Sequence, residues 1–349
     1  VHDHAAALLA LLGHPNIASN EAIIRRYDHE IGGSTRVRPL VGRCGDAPAD
    51  GVVLAHPAAL HGLAIGIGMN PWYGVADAER MAHAVVDEAI RNVVAVGADP
   101  ELVVLMDNFS WGDPRRPSTF GQLVAAVDGC VAASLHHRAP FVSGKDSLNN
   151  EYVGTDGLRH SVPPTLVVHA IAHLPDADRV TTPDFKQVGS VLVLVGATRP
   201  EFGGSHLGHL TPGFDTEAHS SVPAPDPGAP ARYRVLHRLL AAGSVLACHD
   251  VSEGGLAVAL AEMAIGARLG VRVEHLPHAD RTVALFSESV GRLVCEVAPD
   301  AVGAFIAAFD AIDEHVELLG RVVAEPVIDL PGCAVGLDDA VLAFTGTRR

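Results

Sequence analysis

Apolar residues recur at helical spacing along residues 76–96: Ala78, Met81, Ala82, Val85, Val86, Ala89, Ile90 and Val93. Side chains three and four apart share one helix face, so this stretch must lay an apolar stripe against a core. Gly97-Ala98-Asp99-Pro100 then stops it, because glycine closes a helix end and proline cannot continue one. The apolar runs around it are short. Residues 51–55 and 62–67 read as strands about a turn, and Leu102 to Met106 has a buried-strand pattern. A second long helix is expected from Thr119 to His136. A short strand follows over Pro140 to Val142, running into a polar loop, and another strand covers Pro164 to Ala172. Long helices between strands require an α+β (mixed α/β) architecture.

Ahead of these elements, residues 5–12 read as a short helix ended by Pro15, and Ser19-Asn20 as a cap for a helix from Glu21 to Tyr27. After a polar, proline-containing stretch at 173–188 a second module begins. Its expected elements are a strand over Ser190 to Val195, a long loop over 200–230 and a helix over Ala231 to Ala242. A strand over Ser244 to Cys248 and a helix from Gly254 to Ala267 follow, then strands near 271–274, 291–297 and 316–323. At 349 residues, 48% hydrophobic and 19% charged, the chain is long and apolar enough for two cores. The expected division is an N-terminal helix and linker over 1–20, one domain over 21–175 and another over 186–349.

Charge and cysteine usage narrow the function classes. A formal net charge of −16 repels nucleic-acid phosphate unless a basic patch exists, and Arg25-Arg26 and Arg115-Arg116 are isolated pairs. No apolar run approaches the roughly 18–20 residues that span a bilayer. Cys44, Cys130, Cys248, Cys295 and Cys333 include no CxxC pair, which argues against zinc and for reduced thiols in a cytosol. The start, Val1-His2-Asp3-His4, lacks the basic region of a signal peptide. These features predict a cytoplasmic protein with no nucleic-acid or membrane partner. The twenty histidines show no metal-ligand spacing and read as surface or packed residues.

Five segments carry polar groups suited to chemistry. Cys248-His249-Asp250-Val251-Ser252-Glu253-Gly254-Gly255 lies between a strand and a helix; its glycines allow backbone N–H groups to approach an anion, or Ser252 or Glu253 simply caps the helix. Ser143-Gly144-Lys145-Asp146-Ser147 combines groups that phosphate sites use, without the Walker A spacing, or forms a polar turn. Glu88 and Asn92 share a helix face, and with Asp50 they offer oxygen ligands for Mg²⁺, or a solvated face. Met106-Asp107-Asn108-Phe109 is expected at a strand's C-terminal end, where ligands gather in α/β folds. Gly203-Gly204-Ser205-His206-Leu207-Gly208 reads as a flexible loop.

Together these segments resemble one family. Tyr27-Asp28-His29 with Gly32-Gly33, Asn92 to Ala98, Met106 to Phe109, Ser143 to Ser147 and Ser161-Val162-Pro163-Pro164-Thr165 are similar to the third quarter of phosphoribosylformylglycinamidine synthases. His249 to Leu256 and Leu285-Phe286-Ser287-Glu288-Ser289 are similar to the last quarter. The order holds over nearly the whole chain. Single motifs are shared across the aminoimidazole-ribonucleotide-synthetase-like superfamily. The resemblance implies one synthetase-like module, the second of two tandem copies, with an N-terminal barrel-forming domain plus a C-terminal α/β domain. It implies an ATP- and Mg²⁺-dependent ligase of purine biosynthesis that joins formylglycinamide ribonucleotide and ammonia. The partners it implies are the N-terminal half of the same enzyme, in the same or a separate chain, and a glutaminase that supplies the ammonia.

It also implies two residue groups. Asp107, Gly144 and Lys145 would lie near ATP in the main site, and Ser147 near substrate. Lys145 stands where short family members have an asparagine metal ligand; a charged lysine cannot ligate Mg²⁺ but can contact phosphate. A second, non-catalytic nucleotide site would use Ala49 and Ser252 for the nucleotide and Asp50, Glu88, Asn92 and Asp250 for Mg²⁺. The family's first copy carries its catalytic histidine in a Ser-His-Asn-His-Pro segment. The corresponding stretch here, Ile65 to Pro71, has no histidine. This half is therefore expected to hold no catalytic residue and to need its other half. The rival readings are a free-standing ATP-dependent kinase or synthetase of the same superfamily, and a structural subunit with a degenerate nucleotide pocket.

Overall fold

The computed structural model describes residues 1–211, 214 and 221–346. The first half begins with α1 (His4–Leu12), α2 (Glu21–Ile24), β1 (Thr35–Val37), β2 (Leu40–Val41), β3 (Ala47–Pro48), β4 (Gly51–Leu54) and β5 (Gly62–Gly68). It continues with α3 (Pro71–Ala76), α4 (Ala78–Ala95), β6 (Val103–Trp111), α5 (Pro117–His137), β7 (Phe141–Leu148), β8 (Glu151–Val153), β9 (Arg159–Ser161) and β10 (Thr165–Leu174). Six strands form one sheet in the order β1-β4-β5-β10-β6-β7, antiparallel except for the parallel β6–β7 pair.

The second half runs β11 (Val191–Val195), α6 (His206–Leu210), α7 (Ala229–Ala241), β12 (Ala247–Asp250), α8 (Gly255–Ala267), β13 (Gly270–Val273) and α9 (Arg281–Phe286). Then come β14 (Leu293–Val297), α10 (Val302–Asp310), β15 (Val316–Val323), β16 (Val327–Leu330), β17 (Cys333–Gly336) and α11 (Leu337–Thr345). Its strands form a seven-stranded sheet in the order β12-β14-β11-β15-β13-β16-β17. The fold class is the mixed α and β one that the apolar periodicity requires.

The stripe on α4 does what its spacing demands. Met81, Ala82, Val85, Val86, Ala89, Ile90 and Val93 are all buried. The contact with β5 is close: a Cβ on Gly68 would stand 2.0 Å from the Val85 carbonyl oxygen, so only glycine fits. The expected single helix over 76–96 is broken at Asp77. Its extended backbone ends α3, and its carboxylate accepts the Arg80 N–H that starts α4. α4 also reaches β12 and α7, so it lies between the two sheets.

α5 covers the same face of the first sheet through Ala126, Gly129, Cys130 and Ala133. Its opposite stripe, Phe120, Val124, Val127, Val131 and Leu135, is exposed. By length and composition α5 is the one described helix able to cross a membrane. Asp128 and its glycines interrupt it, so no continuous apolar run appears in the sequence. The other face of the sheet leaves Leu54, Leu63 and Ile67 exposed.

Several boundaries differ from the sequence reading. β6 continues through Asp107-Asn108-Phe109 to Trp111, so these residues lie inside a strand and not at its end. Residues 143–148 form a strand, not a polar loop. They pair along β6, and an edge strand with exposed side chains can be polar without losing its ladder. The expected loop over 200–230 contains α6 and the start of α7; positions 212–213 and 215–220 of it lie outside the described residues, as do 347–349 of the second domain. α2 stops at Ile24, and Asn20 makes no side-chain cap bond.

Candidate functional site

β12 leads into two left-handed glycines, Gly254 at φ 77° and Gly255 at φ 71°. A Cβ on Gly255 would meet the Ser287 carbonyl oxygen at 2.5 Å, so side chains are excluded there. Neither Ser252 nor Glu253 caps α8; Gly254 takes the cap position and its N–H donates to Glu288 Oε1 at 2.9 Å. Ser252 and Glu253 are thereby left facing a cavity of about 480 Å³.

Ala49, Asp50, Glu88, Asn92 and Ser252 all line that cavity. Asp50 Oδ1 accepts from His249 Nδ1 at 2.7 Å and from the Asp250 N–H at 3.0 Å. Asn92 Nδ2 donates to the Ile67 carbonyl at 2.8 Å, which fixes its amide. Glu88 Oε2 accepts from the Met69 N–H at 3.0 Å. Asp50 Oδ2 and Asn92 Oδ1 are buried and have no hydrogen-bond partner among the described residues. Leaving such oxygens unpaired is costly, about 1–3 kcal/mol each. Asp250 stands behind the wall: Oδ2 accepts from Arg91 Nη2 at 3.1 Å, and Oδ1 is 3.5 Å from Ser252 Oγ.

The electrostatics follow from crowded carboxylates. Burial, then the neighbouring Glu253, push the Glu88 carboxyl well above its ordinary value. Burial raises Asp250 to about 7 against the attraction of Arg91. Burial would also raise Asp50, but the His249 ring outweighs it and holds this carboxyl below its ordinary value. Burial opposes a charged His249, yet Asp50 and Glu262 override it and lift the ring well above the usual histidine range. His249 Nε2 lies 3.0 Å from Glu262 Oε2, so both ring nitrogens are engaged. Ligand atoms of Asp50, His249 and Asp250 lie within 4.8 Å of one another. A ring donating from both nitrogens cannot itself ligate a metal. The wall therefore offers oxygen donors only, two of them orphaned, which fits a hard cation such as Mg²⁺.

The other expected group lies on β6 and β7. Asp107 pairs with Gly144, Asn108 with Lys145 and Ser110 with Ser147. Asp107, Gly144 and Asp146 line a groove of about 590 Å³ against α5. A Cβ on Gly144 would come within 2.5 Å of Asp107 Oδ1, so the carboxylate sits where a side chain would go. Burial, then Asp146, raise the Asp107 carboxyl. Lys145 and Ser147 alternate with these residues and fall on the other sheet face, where Lys145 Nζ donates to Ser147 Oγ. The structure thus separates the ten expected residues into a cavity group and a strand-pair group.

Sequence reasoning missed His249, Glu262, Glu253 and Glu288. His249 has no nearby histidine, and its partner Asp50 is 199 positions away, so no local spacing could reveal it. The Gly203–Gly208 segment is also ordered. Ser205 caps α6, and the His206 N–H donates to Glu288 Oε1 at 2.9 Å. In the stretch Ile65–Pro71, Asn70 caps α3 by accepting from the Trp72 and Tyr73 N–H groups at 3.1 and 3.3 Å.

Comparison with known proteins places these features. Residues 49–169 match AIR synthase related protein, N-terminal domain, and residues 187–331 match AIR synthase related protein, C-terminal domain. Phosphoribosylformylglycinamidine synthase subunit PurL of Moorella thermoacetica is 34% identical over 307 residues, 86% of this chain and 38% of that protein. T. maritima PurL complexed with FGAR superposes with a TM-score of 0.73 at 16% identity, over 96% of this chain and 53% of that one. Its ATP complex gives 0.63 at 18% identity, over 88% and 48%. Thiamine-monophosphate kinase from Stenotrophomonas maltophilia gives 0.55 at 18% identity, over 85% and 92%. The chain spans 38% of its curated relative and about half of the T. maritima chain.

Proposed function

The chain belongs to the AIR-synthase-related superfamily, in its PurL-like branch, and from that premise we propose that it is the C-terminal half of a phosphoribosylformylglycinamidine synthase. The observation that carries the reading is the pair of buried, unpartnered oxygens, Asp50 Oδ2 and Asn92 Oδ1, on a cavity wall shared with Ala49, Glu88 and Ser252. A purely structural module has no reason to retain two orphaned oxygens. In this reading Asp50, Glu88 and Asn92 hold Mg²⁺, Asp250 supports them from behind, and Ser252 and Ala49 contact a nucleotide. Bound Mg²⁺ would neutralise the phosphates and the crowded carboxylates together. His249 fixes the orientation of Asp50, so its outward oxygen faces the cavity.

The second group serves the reaction. Asp107 and Gly144 would border ATP, Ser147 the formylglycinamide ribonucleotide, and Lys145 a phosphate. The open sheet face bearing Leu54, Leu63 and Ile67 would close on the N-terminal half as a barrel. The enzyme would then activate the amide oxygen of formylglycinamide ribonucleotide by phosphoryl transfer from ATP. Ammonia from a glutaminase partner would displace it, with catalysis resting on positioning and electrostatics. No catalytic group is assigned to this half. The kinase reading keeps one specific support, since the kinase chain is matched over 92% of its length.

Ammonia-dependent product formation from formylglycinamide ribonucleotide and ATP tests the proposal, with this chain alone and with an N-terminal half added. Activity only in the mixture is expected. Ligation by this chain alone refutes the half-enzyme reading, and silence in both with a folded chain refutes the ligase reading.

A further inference from the structure

The cavity beside Asp50 has two unlike ends. One carries the oxygens of Asp50, Glu88, Asn92 and Ser252; the other is built by residues 16–20 and Ile24 near the chain's start and by Phe344 of α11. The N-terminal segment is held in place. Leu8, Leu11 and Leu12 of α1 are buried, the Ser19 N–H donates to the Phe344 carbonyl at 2.9 Å, and Asn16 Nδ2 lies 3.2 Å from His206 Nε2. Ile17 and Phe344 are 9% and 3% exposed, and none of these wall residues is charged. Asn20 stands exposed at the edge, its amide not used to cap α2.

Phosphate and its cation call for charge and donors. An uncharged wall with buried Ile17 and Phe344 offers them little. A flat heteroaromatic ring, in contrast, gains from apolar faces, and a carboxamide can read its edge with one donor and one acceptor. The volume of about 480 Å³ suits a whole small molecule.

We propose that residues 16–20, Ile24 and Phe344 form the nucleoside end of this cavity, with Asn20 selecting the base of a nucleoside di- or triphosphate whose phosphates lie at the Asp50 end. The inference rests on the cavity being the Mg-nucleotide site proposed above. It makes the two ends of the chain, and not the sheets, the determinants of which nucleotide is held.

Calorimetric titration of the full chain with Mg-ADP, Mg-GDP and Mg-pyrophosphate tests it. Ala18→Trp, which fills this end, should weaken Mg-ADP by about tenfold or more while leaving Mg-pyrophosphate within about twofold. Asn20→Ala should shrink the wild-type difference between Mg-ADP and Mg-GDP by roughly threefold or more, the loss of one edge hydrogen bond. Asp50→Asn should weaken all three probes, because it acts at the phosphate end. Unchanged Mg-ADP binding in both wall variants, or equal loss of Mg-ADP and Mg-pyrophosphate, overturns the proposal with the site reading intact. Failure of the wild type to bind any probe overturns both. Thermal melts verify the fold of Ala18→Trp, and exposed Asn20 carries the test if that variant unfolds.

Discussion

His249→Ala removes the positive centre of a buried trio. The ring bridges Asp50 and Glu262 at 2.7 and 3.0 Å, and the three side chains are 6%, 1% and 14% exposed. Once it is gone, Asp50 keeps one donor at Oδ1, the Asp250 N–H, and its Oδ2 already lacks one. Breaking a buried pair from one side costs about 3–5 kcal/mol, because the remaining charge is uncompensated. That corresponds to a drop of roughly 10 °C in melting temperature. Differential scanning calorimetry of wild type, His249→Ala, Asp50→Asn and the double variant supplies the cycle. Removing both charges relieves the stranded carboxylate, so the double variant should be at least about 1 kcal/mol less destabilised than the sum of the singles. A His249→Ala variant within about 1 kcal/mol of wild type, or strict additivity, refutes the bridging role assigned to the ring.

Two further outcomes follow from packing and burial. Gly68→Ala should cost about 3 kcal/mol or more, since its Cβ meets the Val85 carbonyl at 2.0 Å and neither backbone can yield; a urea midpoint equal to wild type contradicts the close β5–α4 approach. His137 is buried, and burial outweighs Asp87 to lower its ring from 6.5 to about 4. The unfolded chain therefore binds the extra proton between those values, so this stability is present above pH 6.5 and is lost as pH falls through about 4. The difference in unfolding free energy between His137→Gln and wild type should shrink by up to about 3 kcal/mol across that window, measured by urea titration at each pH; a flat difference argues against a neutral buried ring.

The fold was legible where one physical signal dominated. The helical stripe from Ala78 to Val93 needs a core whatever the topology, and it found one. Short apolar runs gave β4, β5, β10 and β11 close to their observed bounds. Polar edge structure was not legible. Residues 143–148 carry almost no hydropathy signal, and their strand exists because β6 supplies the ladder. Asp77 could not be told from its helical neighbours, because its break depends on an extended backbone and a local cap. The site divides the same way. Glu88 and Asn92 share a face by spacing alone, but Asp50, Asp250 and Ser252 join them only through the packing of β12 against the α4 layer. His249 looked like one histidine among twenty, since its meaning comes from carboxylates 13 and 199 positions away.

The two residue groups also differ in what each lacks. The cavity wall is built wholly from this chain: strand β4, helix α4, the turn before α8, and both chain ends. Its unmet demand is chemical, two oxygens without donors and carboxylates crowded enough to shift upward. A cation and an anion together would meet it, with no other protein surface required. The β6–β7 group has a spatial deficit. Its Lys145 has only the Ser147 hydroxyl as partner, and the charge lies on an edge strand of a sheet whose same face exposes Leu54, Leu63 and Ile67. Apolar residues beside an unneutralised lysine suit neither water nor a dry core. They suit a closing surface that buries the leucines and brings phosphate to the ammonium. On the proposed reading this asymmetry is the division of labour: nucleotide retention belongs to this chain, while ligation requires the surface that completes the sheet.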